Sequence, residues 1–341
     1  MENLTDQKSR LPLMQRVAQI AADPQFKEQC GKYRNIELFN YLGLIEKVAL
    51  LDISNIPTNN RSLKMDYPAD MIVDETLSFY ADLDRICPEL PLLSLAEKNM
   101  QYLTFEPNYS RLKPGELPRS ACGISSVTLP SGETVPKREI FVYLDGDFRT
   151  IFSGAHEFAH SMSDRFLKLE YFKSNAVAEL VPSIVDVFAP ELFLQHHPEF
   201  APQVAELKKL SLVNTVKKAR QSLLEACVVK VMTGEMQLED VMQKYSNIFN
   251  EQLISDCVSD IEQDLFKPMH EAQYVLPHVM AETLFDMFKQ NPQETVKNIK
   301  STLSCDTRLS LEEAYSVLRL PRMETTLANF NSKLNEHAMS R

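Results

Sequence analysis

The pentapeptide His156-Glu157-Phe158-Ala159-His160 is the feature that most constrains the fold of this chain. Residues four apart lie on one side of an α-helix, so the two imidazoles can bind a single Zn²⁺ only if this segment is helical. Glu157 can then take a proton from a water molecule at the open position of the metal. The motif predicts a zinc-binding helix with one ion per chain, and the alternative is a surface helix with two ordinary histidines.

A zinc site of this kind needs a third protein ligand. A third histidine on the same segment is not available, because Ser163 and Phe166 stand where the metzincin pattern has Gly and His. Glu179 follows after a stretch that allows one helix to end and a second to run back past the metal. Asp164 has too short a side chain to reach back, and Glu170 leaves the chain little room to turn. We predict Glu179 as the ligand, with Glu170 and Asp164 as alternatives.

Two further residues follow Glu179 on the same face of the predicted second helix, Ser183 and Asp186. Zinc-bound histidines usually donate their other ring N–H to a carboxylate or a carbonyl. We predict that Asp186 is this carboxylate and that Ser183 lies beside it. The alternative for Asp186 is a solvated helix position.

The segment Ala155-His-Glu-Phe-Ala-His-Ser-Met162, followed by Val177-Ala-Glu-Leu180, resembles the active-site segment of the oligoendopeptidase F and thimet oligopeptidase family. These proteins are gluzincin peptidases, and the resemblance covers about residues 110–330. It implies a zinc-dependent endopeptidase in which Glu157 is the general base. It also implies that the metal ligands are His156, His160 and Glu179.

Two positions of the zinc segment depart from the pattern of that family. Ala159 stands where the family usually has Gly, and Ser163 stands where it often has a further His. Neither position is a ligand in the family, so the departures change the surroundings of the helix and leave the predicted zinc site intact.

The resemblance extends to an extended segment before the zinc helix, Arg138-Glu-Ile-Phe-Val-Tyr-Leu144. Peptidases of this broad class hold a substrate by adding it as an extra strand to a sheet edge. We predict that Phe141, Val142 and Tyr143 contact the substrate in this way. The alternative is an ordinary strand of the sheet.

Hydrolysis by zinc also needs a donor for the oxyanion that develops on the attacked carbonyl. The segment His270-Glu-Ala-Gln-Tyr274 places an imidazole and a phenol one helical turn apart. Tyr274 is similar in position to a tyrosine of the family. We predict Tyr274 and His270 as catalytic residues, with His278 as a weaker alternative; a half-buried amphipathic helix would explain the same pattern.

The composition favours a mainly helical fold. The chain has 341 residues, 44% of them apolar, which suffices for a large core, and only 8 Gly and no Trp. Apolar residues recur at helical spacing in Leu13–Ile20, Ile36–Leu42 and Glu75–Ile86. Between 106 and 147, prolines and glycines increase and two β-prone stretches, Gly123–Leu129 and Glu139–Leu144, flank a turn.

These patterns together predict a mainly α, zincin-like helical metallopeptidase with a small β-sheet next to the zinc-binding helix. We predict a helical N-terminal region at 1–105. The catalytic domain would occupy 106–341, with the sheet within 106–147 and helices in the remainder.

The net charge of −11 disfavours nucleic acid and anionic membranes as partners. The chain has no apolar run long enough to insert into a membrane, and its polar first residues lack the apolar core of a signal peptide. The six cysteines are scattered, which is typical of reduced thiols in the cytoplasm or a cytosol-like compartment. We expect a peptide or protein substrate as the partner.

Two other functions remain compatible with the sequence. One is a zinc hydrolase on the same scaffold that acts on a non-peptide amide. The other is a non-enzymatic helical interaction protein in which the motif is accidental or degenerate. The joint presence of His156, Glu157, His160 and Glu179 argues against degeneration.

Overall fold

The computed structural model describes residues 13–26, 28, 37–65, 68–100, 103–105, 121–128, 132, 134–142, 146–162, 179–262, 269–304 and 309–339. The chain is mainly α-helical within these ranges, which confirms the predicted fold class. Its first part forms helices α1 (Leu13–Ala21), α2 (Leu42–Ala49), α3 (Ala69–Ile86) and α4 (Leu92–Asn99), with 3₁₀ turns at Glu37–Tyr41 and Asn60–Leu63. The helices predicted near residues 13 and 75 are therefore confirmed, and the one predicted near 36 begins as a 3₁₀ turn.

Three strands form a sheet in the order β1-β3-β2, with bounds β1 Leu103–Phe105, β2 Ala121–Thr128 and β3 Thr134–Val142. β2 and β3 pair antiparallel, which confirms the predicted hairpin. Gly132 in their connection has a φ of 85°, a conformation that glycine adopts without the steric cost of a Cβ atom. β1 pairs parallel to β3 and lies before residue 106, outside the predicted sheet region. Three residues are too few to show the alternation by which a strand is recognised.

The remainder of the described chain is helical. Its helices are α5 (Thr150–Met162), α6 (Leu180–His196), α7 (Ala201–Met232), α8 (Leu238–Lys244), α9 (Glu251–Glu262), α10 (Ala272–Gln290), α11 (Pro292–Ser304), α12 (Leu311–Val317) and α13 (Met323–Met339), with a 3₁₀ turn at Pro198–Phe200. Among the described helices, none combines the length and the apolar character that a bilayer span requires.

The chain divides into two compact units. The first unit contains Met1–Asp52 and Thr215–Leu276, and the second contains Ile53–Asn214 and Pro277–Arg341. Two of the division points fall inside α7 and α10. The boundary near residue 105 that the sequence suggests does not coincide with these divisions, and the catalytic assignment of 106–341 stays a prediction.

Polar contacts in the first unit connect its N-terminal helices to the later ones. The Arg220 guanidinium on α7 donates to the carbonyls of Ala49 and Leu51 at 3.0 and 2.9 Å. These carbonyls lie at the C-terminal end of α2, where a positive charge is stabilising. Arg16 on α1 donates to the hydroxyls of Ser255 and Ser259 on α9, at 2.8 and 2.6 Å.

The predicted zinc helix, α5, is at the centre of the second unit. It packs against β2, β3, α3, α4 and α6. All of its residues are buried except Ser153, His156 and His160, which are partly exposed. Their spacing of three and four residues places these three side chains on one side of the helix. Because the other sides are packed, this accessible stripe of Ser153, His156 and His160 is the part of α5 that faces outwards.

Candidate metal centre

The two histidines of the motif lie side by side on the accessible stripe of α5. Their ring centroids are 5.2 Å apart. Apart from Ser153, the other residues of the helix are buried in the core, so the backbone that carries both imidazoles is held in place by packing. This is the arrangement that the four-residue spacing predicts.

Glu179 lies immediately before α6, and its side chain reaches the two rings. Its Oε2 atom is 3.5 Å from Nε2 of His160 and 4.0 Å from Nε2 of His156. Two ligands bound to one tetrahedral zinc at about 2.1 Å would be about 3.4 Å apart. The distance from Glu179 to His160 is therefore close to the one that a shared zinc ion requires, and the distance to His156 is about 0.6 Å longer.

The surroundings of Glu179 also fit a metal. Its Oε2 atom is buried and accepts no hydrogen bond from any described residue. A buried carboxylate oxygen that accepts no hydrogen bond is costly, and a bound cation would lower that cost. Among the described residues, His156, His160 and Glu179 are the one cluster whose potential ligand atoms come close enough for a metal. The alternatives Glu170 and Asp164 lie outside the described residues.

Asp186 on α6 contacts the other side of the His156 ring. Nδ1 of His156 and Oδ1 of Asp186 are 2.9 Å apart. With Nδ1–H donating to this carboxylate, Nε2 is the nitrogen that remains for a metal. Burial alone would lower the pKa of His156, but the charges of Asp186, Glu157 and Glu179 outweigh it and raise the pKa to about 10. The site thus favours a positive charge at this ring.

Ser183 is buried in the first turn of α6, where its backbone N–H donates to the carbonyl of Glu179 at 2.9 Å. This bond is part of the helix and fixes the backbone of Glu179. A contribution of the Ser183 side chain to the site stays a prediction.

Glu157 lies between the histidines but is almost fully buried, with 6% of its surface exposed. Burial raises the pKa of its carboxyl, although positive charge on His156 and His160 lowers it. A carboxyl with a raised pKa is a better proton acceptor near neutral pH than an ordinary one. Its environment therefore suits a general base.

The structure does not favour strand addition at the predicted substrate strand. At Ile140 and Phe141, β3 is paired with β1 on one side and with β2 on the other. The prediction assumed a free edge here, and the central position of β3 removes it, because both sets of backbone groups are already used. Phe141 is half-buried and Val142 is buried, while Tyr143 lies outside the described residues. A substrate contact by these side chains stays a prediction.

The predicted oxyanion donors belong to the first unit, whereas the His and Glu cluster belongs to the second. Tyr274 is half-buried, and the Lys218 ammonium lies 4.0 Å from the centre of its ring. His270 is exposed, with its ring centroid 6.2 Å from that of Tyr274. The roles of both residues stay predictions.

The alternative donor, His278, is a buried residue of the second unit. Its Nε2 atom lies 3.2 Å from the Ser211 hydroxyl and 3.7 Å from the Glu282 carboxylate. These contacts use the ring within the core, as expected for a structural histidine.

The adjacent histidines His196 and His197 precede Pro198, a pattern that favours a solvated loop, but His196 ends α6 and both rings bind carboxylates of α3. Nε2 of His196 lies 3.0 Å from Asp82, and Nε2 of His197 lies 2.9 Å from Glu75. The residues involved are more than 110 positions apart. Turn residues such as Pro198 indicate where a helix ends, but they do not indicate that carboxylates as distant in sequence as Asp82 and Glu75 will bind the two rings.

Two further residues, one in contact with the predicted zinc helix and one within it, were not predicted from the sequence. The Tyr80 hydroxyl on α3 donates to the carbonyl of Ala155 at 2.7 Å, next to the first histidine of the motif. A Cβ atom on Gly154 would lie 2.4 Å from Oγ1 of Thr76, so the two helices approach closely there. Gly154 was the available signal, because a glycine within a helix often marks a close contact.

No protein-family model matches this chain, and no curated protein matches it. Solved structures do match. The fold is similar to that of oligoendopeptidase F. One such structure, from Bacillus anthracis strain Ames and assigned as an oligoendopeptidase F, has a TM-score of 0.50 at 15% identity and covers 82% of this chain. A second structure assigned as an oligoendopeptidase F has a TM-score of 0.56 at 13% identity and covers 96%.

A third structure, PZ peptidase A with an inhibitor, has a TM-score of 0.54 at 12% identity and covers 94% of this chain. This chain spans only 48% to 58% of the length of the three solved proteins. At these identities the comparison establishes a shared fold.

Proposed function

We propose that this protein is a zinc-dependent endopeptidase of the gluzincin type. In this proposal His156, His160 and Glu179 bind one zinc ion and Glu157 is the general base. The observation that carries the proposal is the buried Oε2 of Glu179, which accepts no hydrogen bond from the described residues and lies 3.5 and 4.0 Å from the ring nitrogens of two histidines on one helix. The similarity of the fold to that of oligoendopeptidase F supports a peptide as the substrate.

The chemistry divides among the residues in a simple way. Zinc, when bound, would polarise the substrate carbonyl and make a bound water more acidic. Glu157 takes the proton from the attacking water and returns it to the leaving amine. Asp186 keeps the proton of His156 on Nδ1 and so leaves Nε2 available.

The donor for the oxyanion is proposed from the sequence. Tyr274, with His270 as a second candidate, would donate a hydrogen bond as negative charge develops on the attacked carbonyl oxygen. This part of the proposal rests on the spacing of the two residues and on the family resemblance.

A hydrolase of non-peptide amides could use the same zinc, base and donor. The similarity to solved peptidases favours peptides, and a direct comparison of substrates separates the two. We expect the protein to cleave a mixture of fluorogenic peptides and to leave simple acyl amides intact. Cleavage of the amides alone would favour the alternative.

Metal analysis is the main test of the proposed function. The purified protein should contain about one zinc per chain. His156→Ala and His160→Ala should lose it, whereas His196→Ala, which removes a histidine bonded to Asp82, should keep it. A folded wild-type protein that takes up no zinc would overturn the proposal and would favour a non-enzymatic role.

A further inference from the structure

The Tyr80 hydroxyl makes a buried contact with the backbone of the zinc helix. Tyr80 lies on α3 with 2% of its surface exposed, and its hydroxyl donates to the Ala155 carbonyl at 2.7 Å. A buried hydroxyl is costly unless it is bonded. Burial also raises the pKa of Tyr80 far above its ordinary value, so the group stays protonated and remains a donor.

The carbonyl that accepts this bond belongs to the peptide group between Ala155 and His156. Inside α5 the same oxygen faces the N–H of the residue one turn later. A carbonyl oxygen has two lone pairs, so it can accept both bonds. The Tyr80 bond therefore adds a fixed lateral contact at the peptide that leads directly into the first histidine of the motif.

A second contact lies beside the first. Gly154 packs so closely on α3 that an added Cβ would lie 2.4 Å from Oγ1 of Thr76 and 3.1 Å from Cγ2 of Ile72. Ile72, Thr76 and Tyr80 are spaced four residues apart and so follow one side of α3. Two consecutive residues of α5 are thus held by one side of α3, which limits both sliding and rotation of the zinc helix.

Metal ligands must keep their positions to within about 0.5 Å to bind well. The imidazoles of His156 and His160 extend from α5, so a small rotation of this helix displaces their nitrogen atoms relative to Glu179, which immediately precedes α6. We propose that Tyr80 is a positioning residue for the metal centre, acting through the Ala155 carbonyl to set the orientation of α5. This inference rests on the proposed zinc function.

The test compares Tyr80→Phe with the wild type. The variant keeps the ring and removes only the hydroxyl. We expect zinc affinity, measured by competition with a chelator, to fall about tenfold, at the lower end of the effect of removing partners behind metal ligands. We also expect the absorption spectrum of the cobalt-substituted protein to shift, because that spectrum reports ligand geometry.

Tyr245→Phe is a matched control. Tyr245 is also buried, and its hydroxyl donates to the Glu46 carboxylate at 2.9 Å in the first unit. Both variants lose the hydrogen bonds of one tyrosine hydroxyl and should lose some thermal stability. Only Tyr80→Phe should change zinc affinity and the cobalt spectrum. Equal metal binding in Tyr80→Phe and the wild type would overturn the proposal and leave Tyr80 a structural residue.

A readout without metal separates this inference from the proposed function. In the metal-free protein, Tyr80→Phe should increase hydrogen exchange at the amides of α5 more than Tyr245→Phe does. Wild-type protein that binds no zinc would overturn the proposed function and with it the metal role of Tyr80. Unchanged exchange in α5 would overturn the positioning itself.

Discussion

Replacing the carboxylate of Glu157 by an amide tests whether this residue acts as a base. It is buried and flanked by His156 and His160, and its carboxyl pKa is raised by burial. Glu157→Gln keeps the shape of the side chain and removes the proposed base. We expect hydrolysis to fall by a factor on the order of 10² to 10⁴, while zinc content stays unchanged. Loss of zinc in parallel with activity would show that Glu157 is a ligand or a structural group.

Glu179 should behave in the opposite way. Glu179→Ala removes one of the three proposed protein ligands, so zinc affinity and activity should fall together and recover in part when zinc is added. Glu199→Ala is the control, because Glu199 is an exposed carboxylate elsewhere in the same unit. Peptide turnover and zinc content are measured for both variants. Normal zinc content in Glu179→Ala would transfer the assignment to Glu170 or Asp164.

The residue scale also shows why part of the site is predictable. His156 and His160 are four positions apart, and helix geometry alone brings them together. Asp186 could be proposed because it follows Glu179 by seven residues, which is two turns of the predicted helix. Tyr80 could not, because its contact with Ala155 spans 75 positions and depends on how two helices pack.

At the scale of elements, the contact between α3 and α5 offers a test of packing. Gly154→Ala adds a methyl group that would lie 2.4 Å from Oγ1 of Thr76. Alanine favours a helix by up to about 1 kcal/mol over glycine, but forcing an extra methyl into a packed contact costs about 1–3 kcal/mol. We expect a net loss of about 1 kcal/mol in the free energy of unfolding, with weaker zinc binding.

A second substitution should reverse that loss. The Thr76 hydroxyl is buried without a hydrogen-bond partner among the described residues, so removing it costs little. Thr76→Ala in the Gly154→Ala background should therefore recover most of the stability, as denaturant unfolding would show. Additive effects of the two substitutions would contradict the close contact.

Strand pairing in the sheet was predictable from the sequence only where the paired strands are adjacent in the chain. The β2–β3 hairpin was predictable because its turn and its two β-prone stretches are adjacent in sequence. β1 was missed, and with it the central position of β3, because a parallel neighbour joined by a long connection leaves no local signal. Because β1 is paired there, the backbone of β3 at Ile140 and Phe141 has no free edge to which another strand could be added.

At the scale of the whole molecule, a buried acid makes stability depend on pH. Glu225 lies in the first unit, where its carboxylate accepts bonds from Gln221 at 2.8 Å and from the Met269 N–H at 2.7 Å. Burial outweighs these bonds, and the nearby Glu271 and Asp260 add to it, so that the pKa rises from 4.5 to about 7. The folded state therefore holds this proton more tightly than the unfolded chain does.

The sign of the effect follows from linkage. The contribution of Glu225 to stability is fully present below pH about 4.5 and is lost as pH rises through about 7. Glu225→Gln cannot ionise, so its free energy of unfolding relative to the wild type should increase from pH 5 to pH 8, by an amount on the order of 3 kcal/mol at most. Denaturant unfolding at several pH values measures this difference. A difference that stays constant with pH would show that Glu225 is not ionising in this range.

The sequence by itself determined the mainly helical fold, the hairpin and the common face of His156 and His160, because each depends on periodicity or on turn residues within about ten positions. Only the tertiary structure decided the distance from Glu179 to the two histidines, the pairing of β1 with β3 and the hydrogen bond from Tyr80 to the backbone of α5. Those features arise when distant segments bury their apolar faces against one another. The free energy of that burial depends on the apolar area removed from water and is not directional. A short stretch of sequence therefore does not specify which distant segment it will pack against.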